Sequence, residues 1–99
     1  MRPRAALRHN EVPPWSLRAI ADRLVQTRNA ISLNQSEFAN RAGIAKNTYN
    51  QWEQAKGRPG LDEAMKLCET YGMTLDWIYR GNPVGLPYEI TSELFRTTA

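Results

Sequence analysis

The chain has 99 residues, with 13 Lys and Arg against 10 Asp and Glu and a formal net charge of +3, which suits one domain with a modest core. It contains no apolar run near the roughly 20 residues that a membrane span needs, and no signal-peptide pattern. Its one cysteine, Cys68, excludes an intramolecular disulfide and fits a reducing cytoplasm, and without a cysteine–histidine cluster or an HExxH motif neither a metal site nor another cofactor is expected.

The charges are unevenly distributed along the chain. Residues 1–60 hold ten Lys and Arg and four Asp and Glu, a balance of +6, whereas residues 61–99 hold three and six, a balance of −3. A basic part opposite an acidic part favours a polyanionic partner. A plain solvated surface would also show such a split by chance, so the charge pattern alone leaves both interpretations open.

Residues 1–14 are predicted to form a mostly extended arm, because they include three prolines, and Arg2, Arg4 and Arg8 make it basic. Such an arm can touch phosphates or enter a minor groove. The alternative is a chain terminus without a role.

The first predicted helix begins near residues 15–17, where Ser16 can cap it, and runs to about Ala30. Its apolar stripe recurs at helical spacing through Leu17, Ile20, Ala21 and Leu24. Arg28 ends this stripe and therefore needs a partner; the alternative is that it is simply exposed at a helix end.

A second, short helix is predicted at about residues 35–42. Asn34 can cap it, and Glu37 three residues later gives a start that resembles a capping box. Gly43 supplies the positive φ that a bulkier residue would resist, so a tight turn ends the helix. The side chains of its inner stripe are Phe38, Ala39 and Ala42.

The third predicted helix, at about residues 46–54, has two different faces. Ala45, Tyr49 and Trp52 fall on one side and form a core stripe. The opposite side carries one cation and four amides, with no carboxylate: Lys46, Asn47, Asn50, Gln51 and Gln54. Amides and cations read base edges in a major groove. An ordinary solvated face is the alternative, but such faces usually mix Glu with Lys.

A short basic loop, residues 55–60, follows this helix, and in it Lys56 and Arg58 stand among glycines and a proline. Loops of this kind present backbone N–H groups and cations to phosphate. The alternative is a mere turn with solvated cations.

Two short helices joined by a glycine turn, the second with a polar outer face, make a helix-turn-helix.

Two further helices are predicted at about residues 61–71 and 75–80. The apolar stripe of the first is Leu61, Ala64, Met65, Cys68 and Tyr71, with Leu67 beside it. Cys68 is interpreted as a small core residue, Gly72 as the stop, and Thr74 and Gly81 as the two ends of the next helix. Trp77 and Ile78 are expected to close the core.

The tail, residues 82–99, permits a short sixth helix at about 87–96. Pro87 is a good first helical residue, and Leu86, Ile90 and Leu94 follow at four-residue steps, with Tyr88 and Phe95 nearby. Its apolar side can pack either on its own domain or on a second subunit.

In these features the chain resembles the phage-repressor-type helix-turn-helix family. The resemblance runs from about Leu17 to Gly81. It is carried by Leu33-Asn34-Gln35, Ala39, Gly43-Ile44, Trp52-Glu53, Arg58-Pro59, Leu61 and Leu75-Asp76-Trp77-Ile78. The family often has serine where this chain has Ala45, and isoleucine or valine where it has Tyr49. The resemblance implies an all-α fold: a compact five-helix, lambda-repressor-like DNA-binding domain, to which the tail adds the sixth helix.

The resemblance also implies roles for individual residues. Lys46, Asn47 and Gln51 match the usual base-reading places, and Asn50 joins them on the same face. Gln35 matches the residue that grips a phosphate and braces the recognition helix, and Arg28 the arginine that pairs with Glu53. The predicted contacts to the DNA backbone are Asn34, Gln35, Thr48, Lys56 and Arg58.

The preferred hypothesis is therefore a sequence-specific DNA-binding transcriptional regulator of the repressor kind, cytoplasmic and acting on double-stranded DNA as a homodimer. Its domains are an arm at 1–14, a DNA-binding domain at 15–81 and a tail at 82–99. The alternative is an antitoxin or other protein-interaction module that also binds DNA, which free exposure of the apolar tail would favour. An enzyme is not expected, because no Ser/His/Asp set and no phosphate-cradling glycine loop appears.

Overall fold

The computed structural model describes residues 12–96, which form six α-helices and, within that range, no β-strand. The helices are α1 (Leu17–Ala30), α2 (Gln35–Arg41), α3 (Lys46–Glu53), α4 (Leu61–Tyr71), α5 (Leu75–Arg80) and α6 (Tyr88–Leu94). The predicted all-α fold class is confirmed. Most of the predicted basic arm lies outside the described residues. Within them, no helix is both long and apolar enough to cross a membrane.

Helix α1 is the element on which the others assemble, since α3, α5 and α6 all pack against it. Ser16 caps it as predicted, because its hydroxyl accepts a hydrogen bond from the backbone N–H of Ala19 at 3.1 Å. Its buried face includes Ile20, Leu24 and Thr27, which are at most 1% exposed. The helix thus presents one continuous stripe to three neighbours.

Helices α2 and α3 form the helix-turn-helix. The predicted capping box is present: Asn34 Oδ1 accepts from Glu37 N at 2.8 Å, and Glu37 Oε1 accepts from Asn34 N at 3.0 Å. Gly43 has a φ of +73°, and the N–H of Ile44 closes the turn on the carbonyl of Ala39 at 2.9 Å. Because Ala39 is small and fully buried, the two helices can cross closely.

Aromatic side chains join the helix-turn-helix to α4. The rings of Phe38 and Tyr71 stack with centroids 4.3 Å apart, and the Tyr49 ring lies 5.2 Å from Phe38 in a tilted arrangement. Trp52 meets Tyr49 edge-on at 5.8 Å. Such tilted, stacked and edge-on pairs stabilise a core beyond the area they bury, and here they fix α3 by its inner face.

The predicted stripe of α4 is partly wrong. Leu61 and Met65 are 63% and 40% exposed, whereas Ala64 and Leu67 are completely buried. Cys68 is half-buried at the edge of the core. The helix therefore turns its Ala64–Leu67–Tyr71 side inward and leaves Leu61 and Met65 at the surface. Both this set and the predicted set recur at three- and four-residue steps, so the spacing alone does not distinguish them.

The last two helices close the domain over α1. Thr74 caps α5, Gly81 ends it with a φ of +78°, and Trp77 and Ile78 are buried as predicted. Helix α6 is shorter than predicted and packs against α1. Leu86 and Ile90 are buried and Leu94 is half-buried, whereas Tyr88 and Phe95 are 83% and 61% exposed. The apolar side of the tail thus packs on its own chain.

The packing of α6 generates a test. Ile90 is 1% exposed, so Ile90→Ala should leave a cavity and lower the free energy of unfolding by about 2–5 kcal/mol. The matched control is Tyr88→Ala on the exposed side of the same helix, expected within about 0.5 kcal/mol of the wild type. Urea unfolding measures both; equal, small effects would show that α6 does not belong to the cooperative core.

Candidate nucleic-acid interface

The predicted outer face of α3 lies at the protein surface. Lys46, Asn47, Thr48 and Gln51 are exposed and Asn50 is half-buried, whereas Tyr49 and Trp52 on the inner face are 0% and 5% exposed. The helix ends at Glu53 rather than Gln54, which is its C-cap. A single eight-residue helix therefore anchors itself by two aromatic rings and offers a cation and amides to a ligand.

The start of α3 is open. Its N-cap is Ala45, whose side chain cannot accept a hydrogen bond, so no side chain caps its first backbone N–H groups from that position. Arg28, Asn34, Gln35, Ser36 and Lys46 line a shallow groove between the starts of α2 and α3. Three of the predicted DNA-contacting residues, Asn34, Gln35 and Lys46, meet in this groove. The side-chain oxygen of Asn34 accepts the hydrogen bond that caps α2, and its side-chain N–H groups remain available as donors.

A largely buried ion pair holds the end of α3. Arg28 Nε donates to Glu53 Oε2 at 2.7 Å and Arg28 Nη2 to Glu53 Oε1 at 3.0 Å, a two-point contact between side chains that are 16% and 6% exposed. Gln35 Nε2 donates to Glu53 Oε1 at 2.7 Å, and Arg28 Nη1 donates to the Leu33 carbonyl at 3.0 Å. One carboxylate thereby links the ends of α1 and α3 to the start of α2.

The charges of this network reinforce each other. Burial alone would raise the pKa of Glu53, but the hydrogen bond from Arg28 and that from Gln35, together with the Arg28 charge, outweigh it and lower that pKa. The hydrogen bond to Glu53 raises the pKa of Arg28 against the opposing effect of burial. The pair is therefore ionised throughout the physiological range.

The first residue of the basic loop (residues 55–60) is Ala55, and its backbone has a left-handed conformation that is unusual for alanine. Ala55 has a φ of +60°, the left-handed region that costs a non-glycine residue roughly 1–2 kcal/mol. The N–H of Lys56 returns to the Gln51 carbonyl at 2.9 Å, which closes α3 in a Schellman-type ending. Lys56 and Arg58 are both exposed, and Arg58 Nη2 donates to the carbonyl of Trp15 at 3.0 Å.

The sequence interpretation assigned no role to Arg23. This residue is only 9% exposed, donates to the carbonyls of Pro14 and Ile78, and lies over the Trp77 ring at 5.9 Å. Burial lowers its pKa. Its spacing from Ile20 and Thr27 on the buried face was a usable signal, but only the folded chain shows that its partners are backbone carbonyls.

The sequence of the chain matches a known protein family. The model of the family described as helix-turn-helix matches residues 24–78, more than half of the chain. The chain belongs to this family, and the predicted phage-repressor-like helix-turn-helix is confirmed. The matched segment includes both helices of the motif, the basic loop and α4.

Named relatives share part of their sequence with this chain. YobD of Bacillus subtilis, an uncharacterized HTH-type transcriptional regulator, is 36% identical over 56 residues, which are 57% of this chain and 50% of YobD. The cryptic phage CTXphi transcriptional repressor RstR of Vibrio cholerae is 31% identical over 62 residues, 63% of this chain and 56% of RstR. The chain thus spans about half the length of these relatives. No solved structure matches it at a significant level.

The ion pair predicts a pH-dependent stability. Because the pKa of Glu53 is lowered in the folded protein, its contribution is complete above the pKa of an unfolded-chain glutamate and is lost as the pH falls through the lower, folded-state value. Glu53→Gln should therefore cost about 2–3 kcal/mol at pH 7, and the gap to wild type should narrow below about pH 4.

Urea unfolding at several pH values measures this gap. The matched control is Glu69→Gln, an exposed position on α4 that makes the same charge change outside the network and should stay within about 0.5 kcal/mol of wild type. A Glu53→Gln penalty that stays constant down to pH 3 would exclude the carboxylate charge as the stabilising element.

Proposed function

We propose that this protein is a sequence-specific DNA-binding transcriptional regulator that inserts α3 into the major groove. The observation that carries the proposal is the outer face of α3: exposed, free of carboxylates, and held in place by the largely buried Arg28–Glu53 pair. Related chains are named a transcriptional regulator and a transcriptional repressor, which favours repression as the mode of action. The proposal includes a cytoplasmic location and assigns no catalytic activity.

The residues proposed to read bases are Lys46, Asn47, Asn50 and Gln51. An amide side chain can bond an adenine at two points, and a lysine ammonium can bond the acceptors of a guanine. Lys46, Asn47 and Gln51 are exposed and free to reach base edges, while half-buried Asn50 lies at the margin of the face. Together they suit a site of only a few base pairs.

A second set of residues is proposed to hold the phosphates on both sides of α3. Asn34 and Gln35 lie at the groove beside the start of the helix, and Thr48 is exposed on the helix itself. Lys56 and Arg58 follow its end. Arg58 uses one donor on Trp15, which orients the guanidinium and leaves its other N–H groups for a phosphate oxygen.

The antitoxin alternative depends on an exposed apolar tail. The structure buries Leu86 and Ile90 and half-buries Leu94 against the rest of the domain, and of the apolar side chains of the tail that would have to be free it leaves Phe95 exposed. The packing of Leu86, Ile90 and Leu94 leaves them unable to form the continuous apolar surface that the antitoxin alternative needs. The DNA-binding proposal therefore stands first.

The regulator is proposed to act as a homodimer. One recognition helix contacts too few base pairs for tight specific binding, so regulators of this kind usually occupy two half-sites. The exposed apolar side chains around α6, Val84, Tyr88 and Phe95, support a subunit contact in the tail region.

The dimer proposal makes a prediction about the DNA site. Duplexes selected from a random pool should contain a near-palindrome with half-sites about one helical turn apart, around 10 base pairs. Footprinting of the selected duplex should protect both halves at the same protein concentration. Tight protection of one isolated half-site would refute the dimer, and failure to select any sequence would refute specific DNA binding.

A second prediction tests the reading face. Gln51→Ala should relax the preference at one base position by about 1–3 kcal/mol and leave binding to unrelated DNA nearly unchanged, because phosphate contacts carry that binding. The melting temperature should not fall, since Gln51 is exposed and alanine favours helix.

Trp52→Ala is the contrasting change on the inner face of the same helix. Trp52 is 5% exposed, so its truncation should cost about 3–5 kcal/mol of stability and reduce binding to all duplexes. Melting curves and binding to single-base variants of the selected site measure both variants. An unchanged base preference for Gln51→Ala would remove this residue from the reading face.

A further inference from the structure

The basic loop is tied to α5 by a tyrosine hydroxyl. Tyr79 Oη donates a hydrogen bond to the carbonyl of Pro59 at 2.6 Å. Pro59 is buried and Tyr79 is half-buried. The contact joins positions 20 residues apart in the chain, and it involves the residue directly after Arg58. No base-reading or phosphate-contacting role falls on Tyr79 itself.

This tie is one of three that fix the course of the loop. At its start, the Lys56 N–H bonds to the Gln51 carbonyl at 2.9 Å; in its middle, Arg58 Nη2 bonds to the Trp15 carbonyl at 3.0 Å; near its end, Tyr79 holds Pro59. The first is backbone to backbone and the second is exposed. The third is therefore the only one of these three that a half-buried side chain makes from another helix.

The Tyr79 hydroxyl is well suited to be a permanent donor. Burial, the largest influence, raises the pKa of Tyr79, and the nearby Arg58 charge opposes this only in part. The hydroxyl thus remains protonated at physiological pH. Without it, the buried Pro59 carbonyl would lose its donor and the loop would shift to expose that oxygen to water, because an unpaired buried acceptor is costly.

We propose that Tyr79 is a positioning residue for DNA-backbone binding: its hydroxyl holds Pro59 so that Arg58 points to a phosphate. The inference rests on the proposed function and deepens it, since it adds a residue on α5, outside the helix-turn-helix, to the machinery of phosphate contact. Tyr79 itself touches no DNA.

The test compares Tyr79→Phe with a matched variant, Tyr71→Phe. Tyr71 Oη also donates to a backbone carbonyl, that of Phe38, at 2.6 Å, and Tyr71 is also half-buried. Both changes remove one hydroxyl and keep the ring, but only Tyr79 contacts the loop. The readout is the affinity for a selected and for an unrelated duplex across a series of salt concentrations, together with the melting temperature.

Tyr79→Phe should weaken binding to both duplexes by about three- to tenfold and reduce the salt slope by up to about one unit, as the loss of one phosphate contact does. The ratio between the two duplexes should not change. The two variants should lower the melting temperature by similar amounts, because each loses one hydrogen bond to a backbone carbonyl. Tyr71→Phe, however, should keep the salt slope of the wild-type protein. A merely structural role for Tyr79 would lower the melting temperature without altering the slope.

Arg58→Ala provides the second arm of the test. If Tyr79 acts through Arg58, Tyr79→Phe should change affinity less than about twofold in the Arg58→Ala background. A full additional loss there, or a wild-type salt slope for Tyr79→Phe, would overturn the inference while leaving the proposed function intact. Absence of salt-dependent binding by the wild-type protein would overturn the proposed function and the inference with it.

Discussion

The contact between Arg28 and Glu53 is the interaction on which the rest of the candidate interface depends. It joins α1 to the last residue of α3, and Gln35 adds the start of α2 to the same carboxylate. Removing one partner of such a pair would leave a largely buried charge without compensation. The pair therefore helps to fix the orientation of α3 against α1 and α2, and that orientation decides which of its side chains can reach a ligand.

The remaining contacts of α3 separate its buried face from the exposed face that is proposed to meet DNA. Tyr49 and Trp52 fill the core, where they meet Phe38 and each other. The other side of the helix carries exposed amide and ammonium groups that can form hydrogen bonds with a ligand. Because the ion pair and the aromatic rings hold the helix from within, we expect the outer amides to contribute little to folding; under the proposed function, substitutions among them would then alter specificity and leave stability unchanged.

Local chemistry explains how much of this arrangement the sequence could predict. Ser16, Asn34 and Thr74 cap helices because their side-chain oxygens accept hydrogen bonds from backbone N–H groups. Gly43 and Gly81 follow helix ends because a residue without a side chain adopts a positive φ easily. The pairing of Arg28 with Glu53 came from family resemblance. What the sequence could not supply depends on the tertiary fold: the inward side of α4, and the arginine and tyrosine groups that reach distant backbone carbonyls. Arg23 and Tyr79 find partners 55 and 20 residues away, and no local pattern encodes a carbonyl acceptor.

In the proposed complex, the outer face of α3 and the basic loop together meet DNA while the ion pair stays closed. Mapping amide chemical shifts of the isotope-labelled protein during titration with a selected duplex tests this most directly. We expect the largest shifts at residues 46–51 and 56–58, with the Arg28 Nε–H signal retaining its position in the bound state. Largest shifts along α4 or α6, with those of α3 unchanged, would contradict it.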